Sequence, residues 1–180
     1  MAAQARPGVS ALPWAEEVHR ELRAAGVHIV GYVPDAGHKR LIELCQADKT
    51  MRAVVLTTEE EGIGLAAGAW LGGEKSVLLM QSSGVGNVIN VLGILKTCRF
   101  PLVMVVTMRG EAGEFNSWQV PMGEGTQAVL ETMGMTVTRA EKADDIAPLV
   151  KKAFKKNSAE AILIAQHVIG IKSFQDQTNR

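Results

Sequence analysis

The sequence predicts an α/β protein, a three-layer α/β/α sandwich on a six-stranded parallel sheet. Three observations predict it. Short apolar runs alternate with stretches of helical periodicity along nearly the whole chain. The apolar runs, LVMVVT at 102–107 above all, lack the polar alternation of half-exposed strands, as expected of parallel strands covered on both faces. Turn-forming residues such as Pro34-Asp35 and Ser82-Ser83-Gly84 follow several of the runs.

Residues 1–12 read as a disordered lead-in, 13–170 as one domain and 171–180 as a tail. A helix begins near Pro13, with Trp14, Val18, Leu22 and Ala25 at helical spacing and Gly26 placed to end it. Residues 27–33 form a buried strand that stops at Pro34-Asp35, where Asp35 can cap the helix carrying Leu41, Ile42 and Leu44. Strands follow at 52–56 and 76–80, separated by a small-residue helix at 59–71. A helix at 86–96 leads to the strand at 102–107. The connection at 108–125 holds Gly110, Gly113, Pro121 and Gly123. Its length exceeds the roughly 12–15 residues usual for structureless loops, which favours a functional role such as a lid. A helix at 126–133, a strand at 135–139, a helix at 144–156 and a strand at 161–165 complete the pattern. No repeat, linker or second domain interrupts it.

Composition narrows the function. Lys plus Arg and Asp plus Glu number 19 each, so the formal net charge is zero and no broad footprint for nucleic acid or an anionic membrane exists. No apolar run reaches the ~20 residues needed to span a bilayer. The opening MAAQARPGVS has no apolar core of a signal peptide, so a cytoplasmic protein is expected. Cys45 and Cys98 match no metal-ligand spacing and are expected to be buried, reduced thiols; no metal site is expected in this chain.

Ligands of parallel sheets gather outside the carboxyl ends of the strands, which directs attention to four turns, at 31–37, 57–64, 81–87 and 108–125. The second turn opens a helix with Glu59, Glu60 and Glu61. Acidic residues in a first turn suit the helix dipole, which accounts equally for Glu60 and Glu61; Glu59, nearest the strand end, can also point into a cleft. Gly64, Gly68 and Gly72 recur every four residues in that helix. Each interior glycine costs about 1 kcal/mol relative to alanine, so close approach by another element must compensate, inside the fold or across a subunit boundary. In the third turn, Gly84 and Gly86 fail the dinucleotide fingerprint, because Ile89 stands where a third glycine belongs. Gln81, Ser82, Ser83 and Asn87 read either as turn and cap residues or as the lining of a polar pocket. Arg109 in the fourth turn meets either an acidic substrate or solvent. His38 reads as a surface residue at a helix start.

Together, GYVPD, TTEEEGIGLAAGAWLGG, VLLMQSSGVGNVINVL, PLVMVVTMRG and WQVPMGEGTQ resemble the pyrimidine-binding domain of thiamine-diphosphate decarboxylases, within the sulfopyruvate and phosphonopyruvate decarboxylase group. The resemblance covers about residues 13–170. Its most specific part is Glu-x-x-Gly-x-Gly-x-Ala-Ala-Gly combined with Met-Gln-x-Ser-Gly-x-Gly-Asn. The family pattern places an acid nine residues before the glycine of the small-residue helix, which selects Glu59 when counted from Gly68. The resemblance implies that Glu59 hydrogen-bonds a pyrimidine nitrogen of the cofactor and activates it. It further implies cofactor contacts from Pro34, Asp35, Gln81, Gly84, Gly86 and Asn87, and substrate contacts from Gln81, Ser82 and Arg109.

Family members hold the diphosphate through Mg2+ on a Gly-Asp-Gly motif in a second domain. This chain contains no Gly-Asp-Gly. The resemblance therefore implies one half of an oligomer, whose partner chain brings the diphosphate and metal site. The expected activity is decarboxylation of a 2-oxo acid, with sulfopyruvate preferred over phosphonopyruvate or another 2-oxo acid. A scaffold domain that keeps the fold without the chemistry is the alternative, and retention of Glu59 speaks against it.

Overall fold

The structure, a computed structural model, describes residues 13–170; the expected lead-in and tail lie outside the described residues. The strands are β1 (Val27–Tyr32), β2 (Arg52–Val55), β3 (Lys75–Gln81), β4 (Leu102–Thr107), β5 (Thr136–Ala140) and β6 (Ala159–Ile164). All pair in parallel, in the order β2-β1-β3-β4-β6-β5.

Period-two alternation sends successive side chains of the central strands into opposite layers. Val77, Leu79, Val103 and Val105 pack under α1 (Pro13–Ala24), α2 (Lys39–Ala47) and α7 (Ala143–Lys156). Leu78, Met80, Met104 and Val106 pack under α3 (Glu59–Leu71), α4 (Ser82–Val88), α5 (Ile94–Cys98) and α6 (Val120–Thr132). Every residue of β4 is buried, which explains its uninterrupted apolar run. Each such side chain contributes roughly 1.5–3 kcal/mol relative to exposure.

The topology positions the site. The chain leaves β1 for β2 on one side, then returns to lay β3 on the other. That reversal opens a crevice at the carboxyl ends of β1 and β3, with β2 and β4 flanking it.

Four sequence expectations are corrected. The turn at 81–87 and the helix at 86–96 are replaced by α4, which starts directly at Ser82, a 3-10 turn at Val91–Gly93, and α5. The break seats both Leu92 and Leu95 in the core. Cys98 is exposed, because it ends α5 after the inward-facing Leu95, while Cys45 is buried as expected. His38 is fully buried, with the ring of Trp14 from α1 edge-on at 6.3 Å. Finally, α6 begins at Val120, so the irregular loop ends sooner than expected. Pro121 lies in the first helical turn, where its missing amide hydrogen is no loss.

A Cβ added at Gly64 or Gly68 meets nothing within 4 Å among the described residues. The compensation for these glycines is not found inside the fold described here.

Candidate functional site

The three carboxylates after β2 separate by geometry. Thr58 is extended at φ −146° and ψ 154°, and Glu59 opens α3. Glu61 turns back to accept the Thr57 amide at 2.8 Å and so caps its own helix start. Glu60 is exposed, whereas Glu59 is only 6% exposed.

Glu59 points across the crevice at α4. Its Oε2 accepts a hydrogen bond from Asn87 Nδ2 at 2.8 Å. Gly84 lies one turn before Asn87 on the same helix face. A Cβ built on Gly84 falls 2.6 Å from Glu59 Cγ and nearer still to the carboxyl. Gly84 is therefore the gap that admits the carboxylate, and Asn87 is the donor that orients it. We expect Gly84→Ala to displace Glu59 and to lower stability by about 1–3 kcal/mol. Urea unfolding checks this; unchanged stability with Ala at 84 would show that the close approach is unimportant.

The other expected residues divide. Gln81 ends β3, and its Oε1 is buried with no hydrogen-bond partner among the described residues. Gly86 is exposed beside Met122. Pro34 and Asp35 line a groove of about 420 Å³ with Tyr32 and Lys39. Asp35 was expected to cap the helix carrying Leu41; its Oδ2 instead accepts the amides of Gly37 at 3.1 Å and His38 at 3.3 Å, just before α2 starts at Lys39. The same oxygen accepts the Thr107 hydroxyl at 2.7 Å. Thr107 is the register neighbour of Gln81, so Asp35 reaches across the end of β3 to β4. Burial pushes the Asp35 carboxyl up, but the His38 and Thr107 contacts together outweigh it and hold it down to about 2.

Ser82 and Arg109 are occupied. The Ser82 hydroxyl accepts the Arg109 amide at 2.9 Å and donates to the Arg109 carbonyl at 3.2 Å, tying the ends of β3 and β4 together. The Arg109 guanidinium makes a bidentate pair with Glu114, Nε to Oε2 at 2.8 Å and Nη2 to Oε1 at 2.6 Å. Glu114 also accepts from the Gly110 and Asn116 amides and from Gln166 Nε2. Arg109 is thus buried, and its charge is neutralised within its own loop by Glu114. Sequence reasoning missed Thr107 and Gln166, because their partners lie far along the chain, and Glu114, because its partner Arg109 is reached only through the fold of an irregular loop; the one local signal was Thr107, polar at the end of LVMVVT.

Residues 14–132 match the profile described as thiamine pyrophosphate enzyme, N-terminal TPP binding domain. The chain belongs to this family. This TPP-binding domain is 38% identical over 139 residues to the sulfopyruvate decarboxylase subunit alpha of Methanococcus maripaludis, covering 77% of this chain and 83% of that one. It is 32% identical over 157 residues to the sulfopyruvate decarboxylase of Methanosarcina acetivorans, covering 85% of this chain but 40% of that longer one. Its fold matches a solved 2-oxoglutarate:ferredoxin oxidoreductase from Magnetococcus marinus at a TM-score of 0.66 and 12% identity, over 92% of this chain and 34% of that one.

The residues present fit the aminopyrimidine of such a cofactor. The domain offers a buried carboxyl seated against glycine backbone, with Oε1 accepting no hydrogen bond among the described residues. The buried, unpartnered Gln81 Oε1 at the end of β3 adds an acceptor. A pocket of about 270 Å³ at the opposite, amino end of the sheet, lined by Trp70 and Phe154 among others, contains none of these groups.

Proposed function

We propose that this chain is the alpha-type subunit of a heteromeric thiamine-diphosphate-dependent 2-oxo acid decarboxylase acting on sulfopyruvate. The observation that carries the reading is the buried Glu59 carboxyl, held on one oxygen by Asn87 and seated against Gly84.

When bound, thiamine diphosphate supplies a nucleophilic carbon and an electron sink for loss of carbon dioxide from a 2-oxo acid. In our reading, Glu59 holds a proton through Oε1 against a pyrimidine ring nitrogen. Asn87 fixes the carboxyl plane, and Gly84 and Gly86 let the cofactor and Glu59 approach the α4 backbone. Gln81 offers its unpartnered Oε1 to the cofactor or the substrate. Pro34 and Asp35 bound the crevice beside β1. Ser82 and Arg109, expected to touch substrate, instead shape its wall by locking the β3 and β4 ends.

A partner chain supplies what this one lacks, the diphosphate cradle, Gly-Asp-Gly and Mg2+. Two observations support a partner: a relative that bears the name of an alpha subunit, and a longer relative of which this chain covers 40%. The open face of α3 at Gly64 and Gly68 supports it too, since no described residue covers it. Among the described residues, no helix is long and apolar enough to cross a membrane; we place the assembly in the cytoplasm.

The test combines the chain with a Gly-Asp-Gly partner, thiamine diphosphate and Mg2+, and measures carbon dioxide release from sulfopyruvate, phosphonopyruvate and pyruvate. We expect release only when both chains are present, fastest with sulfopyruvate. Preference for phosphonopyruvate would reassign the substrate, and no release from any of the three would favour a scaffold.

A further inference from the structure

His38 is unusual for a residue beside a polar crevice. It is wholly buried, and neither ring nitrogen has a hydrogen-bond partner among the described residues. Its nearest charged group is Asp35, with Nδ1 3.5 Å from Oδ2. A neutral imidazole there leaves two buried polar atoms unsatisfied. A protonated one finds an anion within ion-pair range, and that anion is already fixed by Gly37, His38 and Thr107.

We infer that His38 is a positioning residue that keeps Asp35 a pinned carboxylate at the crevice, so that Asp35 offers Oδ1 to a hydrogen-bond donor of the cofactor or substrate. The geometry is one-sided in the required way. Every hydrogen bond that Asp35 accepts from the described residues falls on Oδ2, and Asp35 lines the groove beside Pro34. Gly37 makes this possible, since a Cβ there would fall 2.9 Å from both Asp35 Oδ2 and Thr107 Cγ2.

The charged surroundings are few. From α1, Trp14 presents only a ring edge to His38, and Glu16 on that helix is engaged by Arg40 of α2 at 2.7 Å. From α2, Lys39 and Glu43 share the groove with Asp35. From the end of β4, the Arg109 charge is felt by Asp35, although its guanidinium is paired to Glu114. From α8 (Gln166–Ile169), the contact with this turn is the apolar Ile169 side chain against Gly37. Of these, the His38 ring carries the one basic nitrogen within 4.0 Å of the Asp35 carboxylate among the described residues.

The inference rests on the proposed function for its kinetic consequence but not for its first readout. In the full chain, the Asp35 carboxyl is titrated by carbon-13 NMR in the wild type and in His38→Phe, which keeps a ring against Trp14 but removes both nitrogens. We expect the Asp35 midpoint to rise by about one pH unit or more toward the ordinary aspartate value near 3.9. In the assembled enzyme, His38→Phe should lower kcat/KM. Asp35→Asn should remove the effect, so that His38→Phe adds nothing in its background. If His38→Phe does not fold, His38→Gln takes its place, with the same expected shift. An unmoved Asp35 midpoint in either folded variant overturns the inference, as does a full additional rate loss in the Asp35→Asn background. Failure of the functional reading looks different: Glu59→Gln would keep its activity while the Asp35 titration still shifted.

Discussion

Glu59→Gln is expected to lower turnover of the assembled enzyme by about 100-fold or more, the scale of lost acid–base participation, while leaving the thermal midpoint nearly unchanged. The substitution keeps volume and an oxygen that Asn87 Nδ2 can still reach, so the notch formed by Gly84 and Asn87 stays filled. What disappears is the exchangeable carboxyl proton. The two neighbouring acids serve as internal controls. Glu60→Gln alters a solvated side chain and should be silent in both assays. Glu61→Gln weakens the contact to the Thr57 amide and should touch stability alone. A variant at 59 with near-normal turnover would mean that another group activates the cofactor.

The sequence and the structure meet most closely where the physics is local. The strands of the core were legible because burial on both faces demands continuous apolar runs, as in β4 and the 161–164 part of β6. The start of α3 at Glu59 was legible because the polar Thr57-Thr58 follow the apolar run of β2 and acidic residues favour a first turn. Choosing Glu59 among three acids was not a matter of periodicity; the family spacing selected it, and the structure supplies the reason in the Gly84 gap. Three things stayed hidden. The helix that starts at Ser82 stayed hidden because the Glu59 contact calls for glycine at 84, and glycine there reads locally as a loop. His38 looked exposed because Trp14, which covers it, lies on another helix. Arg109 looked free because Glu114 lies within a glycine-rich loop whose fold no periodicity foretells.

Arg109 leads to the second large effect. The Glu114 side chain is 1% exposed and Arg109 7%, so the pair is buried and bidentate. Attraction within the pair is largely offset by the loss of hydration, but breaking it from one side leaves a buried charge alone, which costs about 3–5 kcal/mol. We therefore expect Glu114→Gln to destabilise the chain by about that amount in urea unfolding. Replacing Arg109 with Met in the same chain should recover most of the loss, because no charge is then left unpaired. The pH dependence has a defined sign. The Arg109 hydrogen bonds, outweighing burial, hold the Glu114 carboxyl well below the usual range. Its contribution is complete above the unfolded glutamate value near 4.3 and is lost as pH falls from there through the lower folded value. Glu114→Gln should flatten that part of the acid unfolding curve. If Arg109 instead met the sulfonate of the substrate, Arg109→Met would raise KM without changing stability, and the double variant would bind substrate no better than that single one. Parallel losses in stability and turnover, both relieved in the double variant, would identify the pair as the clasp that holds the loop after β4 against the crevice.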